Sequence, residues 1–466
     1  MDLLLVEVSG TNKFINNGLA YLAGSLAGKY SLQVIDLNYL SWTRQQLIDY
    51  IVKINPQVLG LSVKSANVST IDNLISDLRG KIDSIIIVGG PHVSILGEEY
   101  LRANVNIDYG LKYEAENSLI DFLEFLAGRK RREEVPGLVY RDGSRVHSNH
   151  YSFLVDLDVL SFPSYDNFVG FDAVGYFRDH PYPLLTSRGC PYNCIYCSVK
   201  LVSGSIWRYR SIENIIKELQ WAKDKYGIKS FELVDDNFTL DVNRAIKFCQ
   251  SLIAGKINLS WGCPNGLRAD KIIDELATVM RRSGCCEVSL GIESGSPVVF
   301  GAIKKGETLE DIERGAKILM ANGIKVTGFF IVGLPGDNIN RTKETIRFIR
   351  QLKLNGGVKW NFLIHYQQTE LWDWIGGHGS FLRDFSLGKH FSRTGQKIVS
   401  IFETPDFSAR ERQRAWKIAN LSIGAYHYIF KIPRNKILFK LKIFVYLLIY
   451  TPNVLWKKIR GNLKIN

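Results

Sequence analysis

No cysteine stands before position 190 and none after 286, so the seven thiols of this 466-residue chain crowd its middle. That distribution is not a disulfide scaffold, and it leaves no thiols near either end for a second metal cluster. Acidic residues are missing after Glu411, where twelve Lys and Arg follow. The net charge of +13 therefore belongs to the tail, and residues 1 to 411 hold 47 basic against 46 acidic side chains. Long apolar runs are also absent. The longest in the apolar, aromatic segment Ile437 to Trp456, Ile443 to Tyr450, has eight residues, against the roughly 20 needed to span a bilayer. The opening Met1-Asp2-Leu3-Leu4-Leu5-Val6-Glu7-Val8 lacks a basic n-region and turns polar at Ser9, so it reads as a buried strand and not as a secretory signal. The expected compartment is the reducing cytoplasm. No G-x-G-x-x-G follows this first strand, which argues against a dinucleotide site.

What is present is an alternation of short apolar runs with helical patterns. Leu3 to Val8, Leu32 to Ile35, Val58 to Val63, Ile85 to Val88 and Ile107 to Leu111 read as parallel strands with helices between them, a doubly wound, Rossmann-like α/β domain over 1–134. Ligands of such sheets bind at the carboxyl ends of the strands. Those ends carry Ser62-Val63-Lys64-Ser65, Gly89-Gly90-Pro91-His92 and Tyr109-Gly110, with Tyr113, Glu114 and Glu116 following. The charged run Arg129 to Glu134, a hairpin pattern at Asp142-Gly143 and a loop-rich stretch from Ser161 to Pro183 read as a boundary and a linker, 135–181. A second βα series over 182–372 has six strands, Pro183 to Ser187, Lys229 to Val234, Asn258 to Cys263, Glu287 to Ile292, Lys325 to Val332 and Val358 to His365. This predicts a partial (β/α)6 barrel whose site lies at the C-terminal strand ends. Residues 373–466 read as a helical, basic extension.

After the first barrel strand comes Cys190-Pro191-Tyr192-Asn193-Cys194-Ile195-Tyr196-Cys197. Three thiolates on one short loop can hold three corners of a 4Fe-4S cluster and leave the fourth iron open. Structural zinc is the alternative, but it wants four Cys or His ligands, typically in close pairs. Cys263, Cys285 and Cys286 lie in strand-like stretches and Cys249 in a helical one, where thiols usually act as small buried apolar groups.

The C-x-x-x-C-x-x-C spacing, with Tyr196 before its last cysteine, resembles the signature of the radical S-adenosylmethionine (SAM) enzymes. Trp207-Arg208-Tyr209-Arg210-Ser211, Phe231 to Thr239, Leu290 to Ser296 and Gly333-Leu334-Pro335-Gly336 resemble the strand-end motifs of that family. The resemblance implies that SAM chelates the open iron and is cleaved reductively to a 5'-deoxyadenosyl radical. It implies SAM contacts by Tyr196, Asp235, Asp236, Gly291, Glu293, Ser294, Gly333 and Pro335. A carboxylate at a strand end suits the cationic amino group of SAM, as a charge-assisted hydrogen bond; Arg268 is equally well explained as an ion-pair partner inside the barrel.

The preceding domain, with Val88-Gly89-Gly90-Pro91-His92 and Gly110 to Glu116, resembles that of the cobalamin-binding radical SAM enzymes, which implies cobalamin contacts by Ser62, Gly89, Gly90, His92, Tyr113 and Glu114. The D-x-H-x-x-G signature that supplies a cobalt-ligating histidine in many cobalamin proteins is absent, so cobalamin is expected without a protein histidine. A vestigial, cobalamin-free domain is the alternative.

The resemblance thus implies a methyltransferase acting on an unactivated carbon, with rearrangement or oxidative cyclisation as the rival reaction and an electron-transfer or binding protein as the rival class. It also implies a small-molecule substrate and an external electron donor such as flavodoxin or ferredoxin. The lysine-flanked apolar tail fits either contact with an anionic membrane surface, hence a lipid-like substrate and a peripheral position at the inner membrane, or a helix packed on the barrel. Nucleic acid is disfavoured, because the basic residues alternate with aliphatics instead of forming a polar stripe. Cys194→Ala is expected to abolish 5'-deoxyadenosine release from SAM by the reconstituted, reduced protein; retained release would place the cluster ligands elsewhere.

Overall fold

A computed structural model describes residues 1–8, 14–382 and 400–423. The membrane-surface expectation, which rests on residues 433–466, falls outside the described residues.

The first domain alternates β1 (Leu3–Glu7), α1 (Asn17–Leu26), β2 (Leu32–Asp36), α2 (Arg44–Ile54), β3 (Val58–Ser62), α3 (Val68–Leu78), β4 (Ile85–Gly89), α4 (Pro91–Ala103), β5 (Tyr109–Leu111) and α5 (Glu116–Leu126). β1 to β5 form a parallel sheet in the order 2-1-3-4-5. Successive side chains alternate across it: Leu4 and Val6 enter one buried cluster, Leu3 and Leu5 the other. The hairpin assigned above to a linker belongs to this sheet. β6 (Leu138–Asp142) pairs antiparallel with β5, and β7 (Arg145–Ser148) follows it to the edge, so the domain continues past residue 134. Burial of Leu138 and Val139 on the sheet outweighs the charged run that precedes them.

The segment that follows is not a loose linker. Ser164 N–H donates to Ala20 O (2.9 Å), and Phe168 bridges Val34 at the edge of β2. Tyr165 and Phe177, the latter on α6 (Ala173–Asp179), pack against Tyr182 and Tyr226 of the second domain. Aromatic burial thus makes one core of the α1/α5 side of the first sheet and the barrel.

The second domain opens with β8 (Tyr182–Leu184), followed by β9 (Ser187–Arg188), α7 (Val199–Ser203) and β10 (Arg208–Tyr209). Next come α8 (Ile212–Tyr226), β11 (Ser230–Leu233), α9 (Val242–Ala254), β12 (Ser260–Leu267), α10 (Asp274–Arg282) and β13 (Cys285–Glu293). The remainder is α11 (Pro297–Ala302), α12 (Leu309–Ala321), β14 (Lys325–Val332), α13 (Ile339–Leu352), β15 (Gly357–Phe362) and α14 (Glu370–His378). Six parallel strands stand in the order 15-14-13-12-11-8, the incomplete barrel expected. β16 (Ser380–Phe381) pairs with β17 (Phe402–Glu403), and α15 (Ala409–Ser422) packs on α13, β14 and β15. The described part of the C-terminal extension therefore lies on the barrel. Among the described residues no helix is long and apolar enough to cross a membrane.

α4 is opened by Pro91 and kinked out of helical geometry at Leu96 (φ −127°, ψ 27°), next to Gly97. It buries His92, whose Nδ1 lies 3.2 Å from Ser65 Oγ and whose ring meets Tyr100 edge-on at 5.2 Å. Burial lowers the His92 pKa to about 4. A base depressed in the folded state contributes stability present above its unfolded pKa, near 6.5, and lost as pH falls toward 4. His92→Gln is therefore expected to remove part of the acid destabilisation between pH 6.5 and 4, on the order of 3 kcal/mol at the acid end. Melting curves across that range check it, and parallel curves for the two proteins would contradict it.

Candidate active site

The loop that carries the three cysteines is fixed through its backbone. Gly189 has φ +85°, and a Cβ there would stand 2.3 Å from Ile206 O, so only glycine fits. Its N–H donates to Asp236 Oδ2 (3.0 Å). Cys190 N–H donates to Gly204 O (3.2 Å), Ile195 N–H to Ile303 O (3.2 Å), and Leu371 N–H to Ile195 O (2.9 Å). Four distant segments therefore hold eight residues in place.

Cys190, Cys194 and Cys197 are all free and half-buried. Asn237 Nδ2 donates to Cys190 Sγ at 3.9 Å. Burial raises Cys194, with Lys305 and Arg268 opposing, and raises Cys197 to about 11. Among the described residues no three His, Cys, Asp or Glu side chains converge tightly enough to hold one metal ion. The three thiols lie near enough to affect one another electrostatically, and three cysteines on one loop are suited to one iron each of a cluster. Buried cations beside them match the negative charge such a cluster brings. Of the other thiols, Cys249, Cys263 and Cys285 are buried and Cys286 is exposed at the start of β13.

The residues expected to hold SAM divide into two sets. Asp235 is engaged by the chain itself, accepting from Thr186 N–H (2.6 Å), Thr186 Oγ1 (2.5 Å) and Ser187 Oγ (2.6 Å). With Asp236 on Gly189, it anchors the start of the cysteine loop. Ser294 is similarly engaged, its Oγ 3.1 Å from Thr345 Oγ1 and accepting from Ser296 N–H (3.2 Å). Glu293 differs. It ends β13 at φ +65°, a conformation costly for a residue with a Cβ. Tyr196 lies beside it, and Lys305 Nζ lies 3.5 Å from its Oε1. Lys305 also pairs with Glu307 at 3.1 Å and donates to Gly291 O. Gly291 leaves room for this pair: a Cβ there would lie 2.8 Å from Glu293 Oε1 and 2.9 Å from Lys305 Nζ.

Lys305 and Glu307 escape sequence reasoning, because Lys304-Lys305-Gly306-Glu307 reads as a solvated turn. Arg268, the doubtful case, proves to be structural. It pairs with Asp270 at 3.0 Å, donates to Lys305 O (2.6 Å) and Gly306 O (3.0 Å), and stacks 3.5 Å over Tyr192. Gly333 N–H donates to Asp337 (2.8 Å), and Gly333 O accepts from Arg412 Nη1 (2.7 Å) of α15, next to buried Pro335. Arg412, counted above with the basic tail, is buried between Phe402 and Phe407, and burial lowers its pKa to about 10.

In the first domain the strand ends form a shelf. Gly90 has φ +99°, and a Cβ there would stand 2.9 Å from Val63 O. Gly89 and Gly90 raise no side chain, and Ser62, Lys64 and Ser65 beside them are half-buried. Bare backbone flanked by small polar groups fits a broad, flat ligand such as a corrin. His92 is buried beneath the shelf and not presented to a ligand. Two other expected contacts turn away. Tyr113, at φ +68°, packs against Tyr151 and Phe153, and Glu114 pairs with Arg208 and Arg188 of the second domain. α4, which starts at the shelf, lies against α7, which starts just after Cys197. The helix that leaves the shelf therefore packs on the helix that leaves the cysteine loop.

Residues 184–349 match the family model of the radical SAM superfamily, and residues 5–123 match that of the B12 binding domain. The chain thus carries a radical SAM domain and a B12-binding domain. Curated relatives include an uncharacterized methyltransferase of Pyrococcus horikoshii, 28% identical over 77% of each chain. Another is cytidylyl-2-hydroxyethylphosphonate methyltransferase of Streptomyces wedmorensis, 27% identical over 66% of this chain and 64% of the relative. A third is the anaerobic magnesium-protoporphyrin IX monomethyl ester cyclase of Rubrivivax gelatinosus, 25% identical over 71% and 61%. In fold it matches the cobalamin-dependent SAM radical enzyme OxsB, with a TM-score of 0.74 at 18% identity, covering 96% of this chain and 70% of that one.

In this enzyme the buried Glu293–Lys305–Glu307 network joins the carboxylate at the end of β13 to that of the turn before α12. Lys305→Met leaves two buried carboxylates without their cation and is expected to destabilise the protein by about 3 to 5 kcal/mol. Denaturant unfolding measures it, and a loss below about 1 kcal/mol would mean that the network is not closed as described.

Proposed function

We propose that the enzyme transfers a methyl group from SAM to a carbon of a small-molecule substrate. The observation that carries this reading is that α4, which leaves the glycine shelf of the B12-binding domain, packs on α7, which leaves the cysteine loop. When bound, the cluster supplies the electron for SAM cleavage and cobalamin supplies a carrier for the methyl group. Cys190, Cys194 and Cys197 hold the cluster. Glu293, oriented by Tyr196 and Lys305, takes the polar part of SAM, and Gly333 to Pro335, braced by Arg412, borders the adenosyl part. Asp235 and Asp236 keep the loop in register without spending their carboxylates on a ligand. Ser62, Gly89 and Gly90 seat the corrin, and His92, the histidine of that segment, is buried away from it.

Two relatives named as methyltransferases support methyl transfer, while the cyclase relative supports oxidative cyclisation on the same scaffold. Reducing cytoplasm and an external one-electron donor such as flavodoxin or ferredoxin suit a half-buried, thiolate-held cluster. A lipid-like substrate draws only on the apolar tail. With methyl-labelled SAM and a cell extract as substrate source, methyl transfer predicts labelled product; product formed without label would favour cyclisation or rearrangement.

A further inference from the structure

Glu114 and Glu116 sit at the start of α5 in the B12-binding domain, and Arg188 and Arg208 face each other in the antiparallel β9–β10 pair of the barrel. Glu114 holds Arg208 in a two-pronged pair, Oε1 to Nη2 at 2.6 Å and Oε2 to Nη1 at 2.8 Å. Glu116 Oε1 accepts from Arg188 Nη2 at 2.5 Å, and Arg188 Nη1 lies 3.4 Å from Glu114 Oε2 without hydrogen-bond alignment. The four side chains are between 4% and 12% exposed. Burying four charges costs desolvation that pairing scarcely repays, so their value lies in fixed geometry more than in net stability.

That geometry converges on one ligand. Arg188 precedes Gly189 and Cys190 directly in the chain. Arg208 Nη2 donates to Ser203 O (2.7 Å), and the next carbonyl, Gly204 O, receives the Cys190 N–H (3.2 Å). Each glutamate thus reaches Cys190 by its own short path. We propose that Glu114, Glu116, Arg188 and Arg208 are positioning residues, through which the B12-binding domain sets the placement of Cys190 and so the orientation of the cluster toward the shelf. The coupling holds whichever group transfer or cyclisation the enzyme performs.

The test uses the full-length protein with Glu114→Gln and Glu116→Gln combined. Two readouts need neither substrate nor cobalamin: hydrogen exchange of amides 187–204 in the cluster-free protein, and the electron paramagnetic resonance spectrum of the reconstituted, reduced cluster. Exchange at Gly189 and Cys190 is expected to rise about tenfold while α12 is unchanged, with a shifted or broadened cluster spectrum. Unchanged exchange and an unchanged spectrum would overturn the proposal. If exchange rises throughout α12, so that the double variant is unfolded, Arg208→Lys decides by the same readouts. It keeps the charge and loses the two-pronged geometry, and wild-type behaviour in it overturns the proposal as well.

Discussion

Backbone hydrogen bonding of the cysteine loop is the constraint on which the rest depends. A loop of this length has no regular structure of its own, and its amides must find partners or pay for their burial. Here they find them on Asp236, Gly204 and Ile303, and Leu371 reaches back to Ile195 O, so barrel strand ends, the α7 turn and the start of α14 all set where the thiols point. The positive-φ Gly189 makes the sharp entry possible. Because Gly204 and Arg188 also lead to Glu114 and Glu116, the loop belongs mechanically to both domains.

The second constraint is electrostatic. Lys305 and Arg268 lie close enough to Cys194 to oppose the cost of its burial, and each is itself held, Lys305 by Glu293 and Glu307, Arg268 by Asp270 and two carbonyls. The charges near the thiols are thus fixed by packing. Glu293 is held by the same scaffold: a backbone at positive φ and a buried lysine fix one carboxylate at the strand end, beside Tyr196 of the cysteine loop.

Much of this was legible in the sequence, and what was not has physical causes. Apolar runs bounded by turns located both sheets, because parallel strands are buried on both faces and read as continuous hydrophobic stretches. The cysteine spacing located the loop, and Glu293 stood out as a carboxylate at a strand end. The kink of α4 at Leu96, next to Gly97, leaves no mark in the apolar runs. Glu114 pointed to the shelf by position alone. Only the fold shows that Arg208, almost a hundred residues on, takes it away. Arg412 looked like one more cation of a basic tail, and its burial against Phe402, Phe407 and Gly333 depends on α15 returning to the barrel. Long-range pairing of charges leaves no local pattern to read.

The central claim is that one chain seats one cluster on Cys190, Cys194 and Cys197 beside one corrin on the Gly89-Gly90 shelf. Anaerobic preparation of the full chain, followed by iron, sulfide and cobalamin analysis of the same sample, tests it most directly. About four irons, four sulfides and one cobalamin per chain are predicted. Iron near twice that value, or a fully loaded cluster in protein that retains no added cobalamin, would contradict the account.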